Sequence, residues 1–130
     1  RSLEAVPPSA DPPTRLADLG RAYRENALTE RNLYQVMFAG LIPGFTPAPE
    51  AREVAAASLE VLREAVRACA ATGVFRPTVD VDEVTDIIWA AAHGSITLEL
   101  AGHFPARTAE QRYQTLTRAA VSAFLQGPGP

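Results

Sequence analysis

The 130 residues are 47% hydrophobic and 21% charged, enough for one buried core and too few for a second domain of ordinary size. No apolar run reaches the roughly 18 residues of a membrane span, and a formal charge of −3 with interleaved acids and bases provides no basic stripe for phosphate contacts. This stretch is expected neither to cross a membrane nor, by itself, to bind DNA well. All twelve basic residues are Arg, which reads as the codon bias of a GC-rich genome. The single cysteine, Cys69, leaves no disulfide framework and no cysteine-rich metal site within one chain, and a reducing cytoplasm is its natural compartment. The opening RSLEAVPPSADPP has no initiator Met and no signal peptide, so it reads as the interior of a longer product with an N-terminal part missing.

Residues 1–10 read as a helix end broken by Pro7 and Pro8, hence a linker. Asp11 as N-cap with Pro12 in the first turn restarts a helix. From Thr14 to about Thr29, Leu16, Leu19, Ala22, Tyr23 and Ala27 recur at helical spacing, with Arg15, Asp18, Arg21 and Glu25 largely opposite. Asn26 falls on or beside the apolar side, where its carboxamide needs a partner such as neighbouring backbone. A short aromatic segment follows from Asn32 to about Gly40, with Tyr34, Met37 and Phe38, and its apolar character suits a core or cavity wall. Pro43 and Gly44 interrupt it. Pro49 and Glu50 start a long helix that Gly73 and Pro77 end, with Val54, Ser58, Val61, Leu62, Ala65, Val66 and Cys69 as its buried stripe.

The stretch 80–102 carries no Asp, Glu, Lys or Arg between Ile87 and Leu98, and a helix apolar all round is expected to be buried all round. Asp80 with Glu83 forms a capping-box pattern, and Gly102 stands at the C-terminal stop. Val84, Ile87, Ile88, Ala91, Ser95 and Leu98 share one face and read as core. A second face holds Trp89, His93, Ile96 and Leu100, and a third holds the small residues Ala90, Gly94, Thr97 and Ala101. Glycine inside a helix costs about 1 kcal/mol relative to alanine, so Gly94 implies a packing reason. Thr108 with Gln111 predicts a capping box for a last helix to about Gln126, buried through Leu116, Ala119, Ala120, Ala123 and Phe124. GPGP leaves 127–130 as a tail. ATGVFRPTVDV is too short and too broken by Pro for a strand.

No nucleophile with its base, carboxylate pair or metal-ligand cluster emerges: His93 and His103 are ten residues apart, and GLIPG lacks the Lys of a phosphate loop. Neither catalysis, nor a metal, nor a cofactor is expected. The alanine-rich faces of the last two helices suit a homodimer in which 80–102 and 108–126 from each subunit form a four-helix bundle.

Trp89-Ala-Ala-Ala-His93-Gly94, with Ser95 to Leu100 following, resembles the Trp-His-Gly motif of one subgroup of C-terminal regulatory domains of the tetracycline-repressor family of bacterial transcription regulators. NLYQVMF at 32–38 is similar to the Tyr and Met-Phe segment of that subgroup. The resemblance implies an all-α bundle of about five helices over 11–126, dimerising through its last two long helices. It also implies a cavity for a small, mostly apolar effector, and a DNA-binding helix-turn-helix domain outside these residues, with RSLEAV as the end of the connecting helix. Burial combined with convergent polar groups nominates Tyr23, Asn26, Phe38, Leu62, Trp89, His93 and Ile96 for the effector pocket; for His93, a structural bond to backbone is an equal alternative, and for Trp89, plain core. The dimer seam is assigned to Ala90, Gly94, Thr97, Ala101, Ala120 and Ala123. A free-standing helical scaffold without ligand, and a helical enzyme dependent on His93, are the competing readings.

Overall fold

The computed structural model describes Leu3, residues 11–32, Tyr34 and residues 49–127. Within these residues the chain is all-α, built on four helices: α1 (Pro12–Thr29), α2 (Pro49–Ala71), α3 (Val81–Leu100) and α4 (Ala106–Ser122). The expected count was about five. The linker 1–10 apart from Leu3, most of the aromatic segment 32–40, and residues 128–130 lie outside the described residues.

The helix ends follow from their local chemistry. Asp11 caps α1 by accepting from the Thr14 N–H at 3.3 Å, and prolines fill the first turn, where no intrahelical N–H bond is lost. Gly73, at φ +83°, follows the end of α2, where Thr72 folds its hydroxyl back onto the Cys69 carbonyl at 2.7 Å. Asp80 caps α3 by accepting from the Asp82 N–H at 2.9 Å; among the described residues Glu83 makes no reciprocal bond, so the capping box reduces to its cap. The far end of α3 closes as a Schellman motif: Gly102, at φ +84°, donates to Glu99, and His103 donates to Leu98 at 2.9 Å.

The last helix departs from its expected start. It begins at Ala106, with Pro105 as a cap that offers no side-chain bond, and Thr108 lies inside the first turn with its hydroxyl on the Pro105 carbonyl at 3.2 Å. Proline preset at φ −59° already starts the turn, so the Thr108–Gln111 box is not needed. Beyond Ser122 the chain meets the segment after Gly73: Phe75 and Leu125 form an isolated antiparallel bridge, flanked by Arg76 N–H to Phe124 and Gln126 N–H to Val74. That single bridge is the only β-pairing among the described residues.

The core has two adjoining parts. One joins Leu16, Leu19 and Ala22 of α1, Ala65, Val66 and Cys69 of α2, Val84 and Ile88 of α3, and Phe75 and Phe124. The other joins Ala27, Tyr34, Ala92, Ile96 and Tyr113. Each fully buried Val, Leu or Ile contributes about 1.5–3 kcal/mol by leaving water. Arg63 of α2 bridges to Asp82 of α3 at 3.0 Å and to Glu60 on its own helix at 2.5 Å, while Arg67 pairs with Glu64. These partly or fully exposed pairs add little.

Two expected stripes, those of α3 and α4, are rotated, and that of α2 departs only at Val54. In α3 the buried residues are Val84, Thr85, Ile88, Ala92, Ser95 and Ile96, so the helix turns the edge between its first and second faces inward. Ile87 and Leu98, read as core, are 44% and 43% exposed, and α3 is not buried all round within one chain. In α4 the inward residues are Ala109, Tyr113 and Phe124 beyond its end, with Ala120 half-buried. Leu116, Ala119 and Ala123 face outward, because the Tyr113 ring takes the inward direction. In α2, Val54 is exposed while the stripe from Ala65 to Cys69 is buried.

Candidate functional site

Between the helices lies an apolar cavity of about 320 Å³. Leu16 and Leu19 of α1, Leu62 of α2 and Ile88 of α3 supply apolar wall, and Tyr23, Trp89 and Tyr113 supply the aromatic part. It exists where two aromatic-bearing helices meet: the Trp89 ring, one turn beyond Val84 and Thr85 on α3, is only half-buried and reaches toward Tyr23 on α1.

The polar groups of this wall are wired to one another. The Trp89 indole N–H donates to the Tyr23 hydroxyl at 3.1 Å. Indole can only donate, so Tyr23 accepts there and spends its own proton on Tyr34, 3.4 Å away. Tyr34 in turn stands 2.5 Å from His93 Nδ1. In the tautomer protonated on Nε2, Nδ1 accepts from the Tyr34 hydroxyl, which continues the donation from Tyr23 to Tyr34. Burial lowers the His93 pKa, which agrees with a neutral ring. The same desolvation raises the pKa of Tyr23 and Tyr34, so both remain hydroxyl donors. The two Tyr rings meet edge-on at 6.0 Å, and Tyr34 tilts against the His93 ring at 5.5 Å.

Two further bonds frame the site. Tyr113 donates to the Gly20 carbonyl at 2.6 Å, linking α4 to α1 through the cavity wall. Arg24 of α1 grips Glu99 of α3 with two parallel bonds, 3.1 and 2.8 Å, and both side chains are only 13% exposed. Such a fork resists sliding of one helix along the other.

Of the expected pocket residues, Tyr23, Leu62 and Trp89 line this cavity. Asn26, His93 and Ile96 do not: Asn26 is half-buried with its backbone carbonyl accepting from Glu30, Ile96 is fully buried in the second core cluster, and His93 stands behind Tyr34. Phe38 lies outside the described residues. Of the seam residues, Ala90, Gly94, Thr97, Ala101 and Ala123 are exposed on α3 and at the end of α4, and Ala120 is half-buried against the core. No group of three or more His, Cys, Asp or Glu side chains that could hold a metal ion occurs among the described residues.

A comparison with protein-family models matches residues 16–124 to the tetracycline repressor-like C-terminal domain. The chain belongs to this family. The match spans all of α2 to α4 and most of α1, so the hydroxyl chain, the exposed face of α3 and most of the cavity wall lie within the tetracycline repressor-like domain. Searches of curated proteins and of solved structures returned no match.

Sequence reasoning passed over Tyr113, Arg24 and Glu99. Tyr113 sits at four-residue spacing from Ala109 and Thr117, the one signal available, but its neighbours in QRYQTLTR are polar. The Arg24–Glu99 fork joins residues 75 apart in sequence, and only the packing of α1 on α3 pairs them.

Proposed function

We propose that this chain is the effector-sensing and dimerising part of a bacterial, cytoplasmic transcription regulator. A small, mostly apolar molecule enters the cavity, and the arrangement of two subunits about α3 and α4 changes with its occupancy. A DNA-binding domain borne by the same regulator then gains or loses operator affinity, because a ligand shifts an equilibrium only by its differential affinity for two states. Membership of the family supports the general role. The observation that supports the specific reading is the two-sidedness of α3: its Trp89 edge walls the cavity while its opposite face, with Ile87, Ala90, Gly94, Leu98 and Ala101, is exposed and apolar. An occupant pressing on Trp89 therefore acts on the helix that would carry the partner subunit.

Native mass spectrometry of the gently purified protein tests both halves together. The expected result is a dimer that carries extra mass, or gains it from apolar metabolites with a rise in melting temperature. A dimer that takes up nothing would favour a ligand-free scaffold, and a monomer that binds nothing would remove the whole reading. No helix of the described residues is long and apolar enough to cross a membrane.

A further inference from the structure

Most polar groups deep in the cavity wall are already committed, while the half-buried Ser58 hydroxyl has no bond among the described residues. Trp89, Tyr23 and Tyr34 bond one another, Tyr113 holds the Gly20 carbonyl, and the Thr117 hydroxyl donates to the carbonyls of Tyr113 and Gln114 at 2.9 and 3.3 Å. An occupant therefore meets an interior that asks for apolar surface. At about 320 Å³ the space is roughly twice that of a cavity that takes up benzene, so it suits an apolar body of about a dozen non-hydrogen atoms.

The mouth differs. Arg21 and Arg118 both line the cavity and are exposed, so they stand where it opens. Asp18 holds Arg21 in an ion pair. Arg118 has no ion pair or hydrogen bond among the described residues, and its own helix offers none at three- or four-residue spacing: those positions are Gln114, Thr115, Val121 and Ser122. Gln114, one turn before it, also lines the cavity, is half-buried, and has no partner for its carboxamide among the described residues. No Asp or Glu is among the described residues of the lining.

We propose, building on the sensor reading above, that the effector is an amphipathic carboxylic acid. Its apolar body fills the cavity and its carboxylate sits at the mouth on Arg118, with the Gln114 carboxamide donating a second bond. A guanidinium matches a carboxylate with two parallel N–H donors, and with Arg21 already neutralised by Asp18 the mouth presents one uncompensated positive charge for one negative head. A cationic head would meet two guanidiniums, and a neutral head would leave Arg118 unpaired.

The test compares decanoate, decanol and decylamine on the 130-residue chain. The readout is the fluorescence of Trp89, the only tryptophan, which lies in the cavity wall. Decanoate is expected to bind about threefold to fivefold more tightly than decanol at low salt, the range of an exposed guanidinium–carboxylate pair, and decylamine most weakly. The advantage of the acid should shrink in high salt and vanish in Arg118→Gln with decanol unaffected. Arg107→Gln, an exposed change outside the lining, should preserve it. Equal binding of acid and alcohol, or an acid preference that survives Arg118→Gln, overturns the carboxylate assignment while leaving an apolar sensor intact. Failure of all three to perturb Trp89 removes the sensor reading and this assignment together.

Discussion

The two sides of α3 are both largely apolar and have opposite fates. Inward, Val84, Ile88, Ala92, Ser95 and Ile96 are buried against three other helices. Outward, Ile87, Ala90, Gly94, Thr97, Leu98 and Ala101 stand in solvent within the single chain. The inner side is built from shapes that fill space between helices, the outer one largely from small side chains that let a backbone come close. On the reading proposed above, the uncharged outer stretch from Ile87 to Leu98 is where a partner subunit would pack. His93 lies on the border between the two sides, half-buried.

Gly94→Arg should break the outer side most completely. The residue is exposed and no described residue lies within 4 Å of an added Cβ, so the described helices leave room for the side chain. A long cation in the middle of a close-packed seam would prevent association, and monomers are expected by sedimentation velocity with helix content retained. A dimer of unchanged mass would reject this seam. Ile96→Ala should break the inner side instead. Ile96 has no exposed surface, and removing its branched side chain should cost about 2–5 kcal/mol in urea unfolding, with the seam untouched. A loss below about 1 kcal/mol would mean that the inner side is looser than its burial indicates.

The border residue gives a smaller, pH-dependent effect. Burial holds the folded-state pKa of His93 below its ordinary value of 6.5, so the unfolded chain takes up a proton first as pH falls. The stability tied to the neutral ring is present in full above about pH 6.5 and is lost as pH falls from there through the folded-state value. Protonation also removes the acceptor at Nδ1, so the Tyr34 hydroxyl can no longer donate to His93 and must accept from it instead. Melting temperatures of wild type and His93→Gln between pH 7.5 and 5 should diverge in slope on the acid side. Parallel curves would show that His93 does not govern that loss.

What the sequence disclosed and what it hid divide along this same helix. Its ends were legible because single residues carry them: Asp80 caps it and Gly102 stops it, as Asp11 with Pro12 begins α1 and Gly73 follows the end of α2. The all-α class and the four long helices followed from that punctuation and from period. The rotation of α3 was not legible, since a helix without charges from Ile87 to Leu98 has no polar marker for its outer side. Ile87 and Leu98 were therefore misplaced in the core. For the site, Tyr23, Leu62 and Trp89 could be nominated from burial and polar handles, and they do line the cavity. Tyr113 is concealed among polar neighbours, and the void itself depends on how four helices fail to fill the space between them. Arg118 reads in sequence as one more surface base; only its place at the cavity mouth distinguishes it.

The finest test of the comparison is the smallest change, Gly94→Ala. Glycine within a helix costs about 1 kcal/mol relative to alanine, and here the added Cβ would meet none of the described residues. No contact among the described residues accounts for the glycine. Unfolding measured at dilutions where subunits are apart should therefore show Gly94→Ala stabilised by up to about 1 kcal/mol. If α3 meets its counterpart at close range through Gly94, the same methyl should weaken the dimer, so stability and association would move in opposite directions. A variant that is more stable and equally dimeric would place the subunit contact elsewhere on the exposed side, on the larger Ile87 or Leu98, and Gly94 would then mark only the absence of selection for helix propensity at that turn.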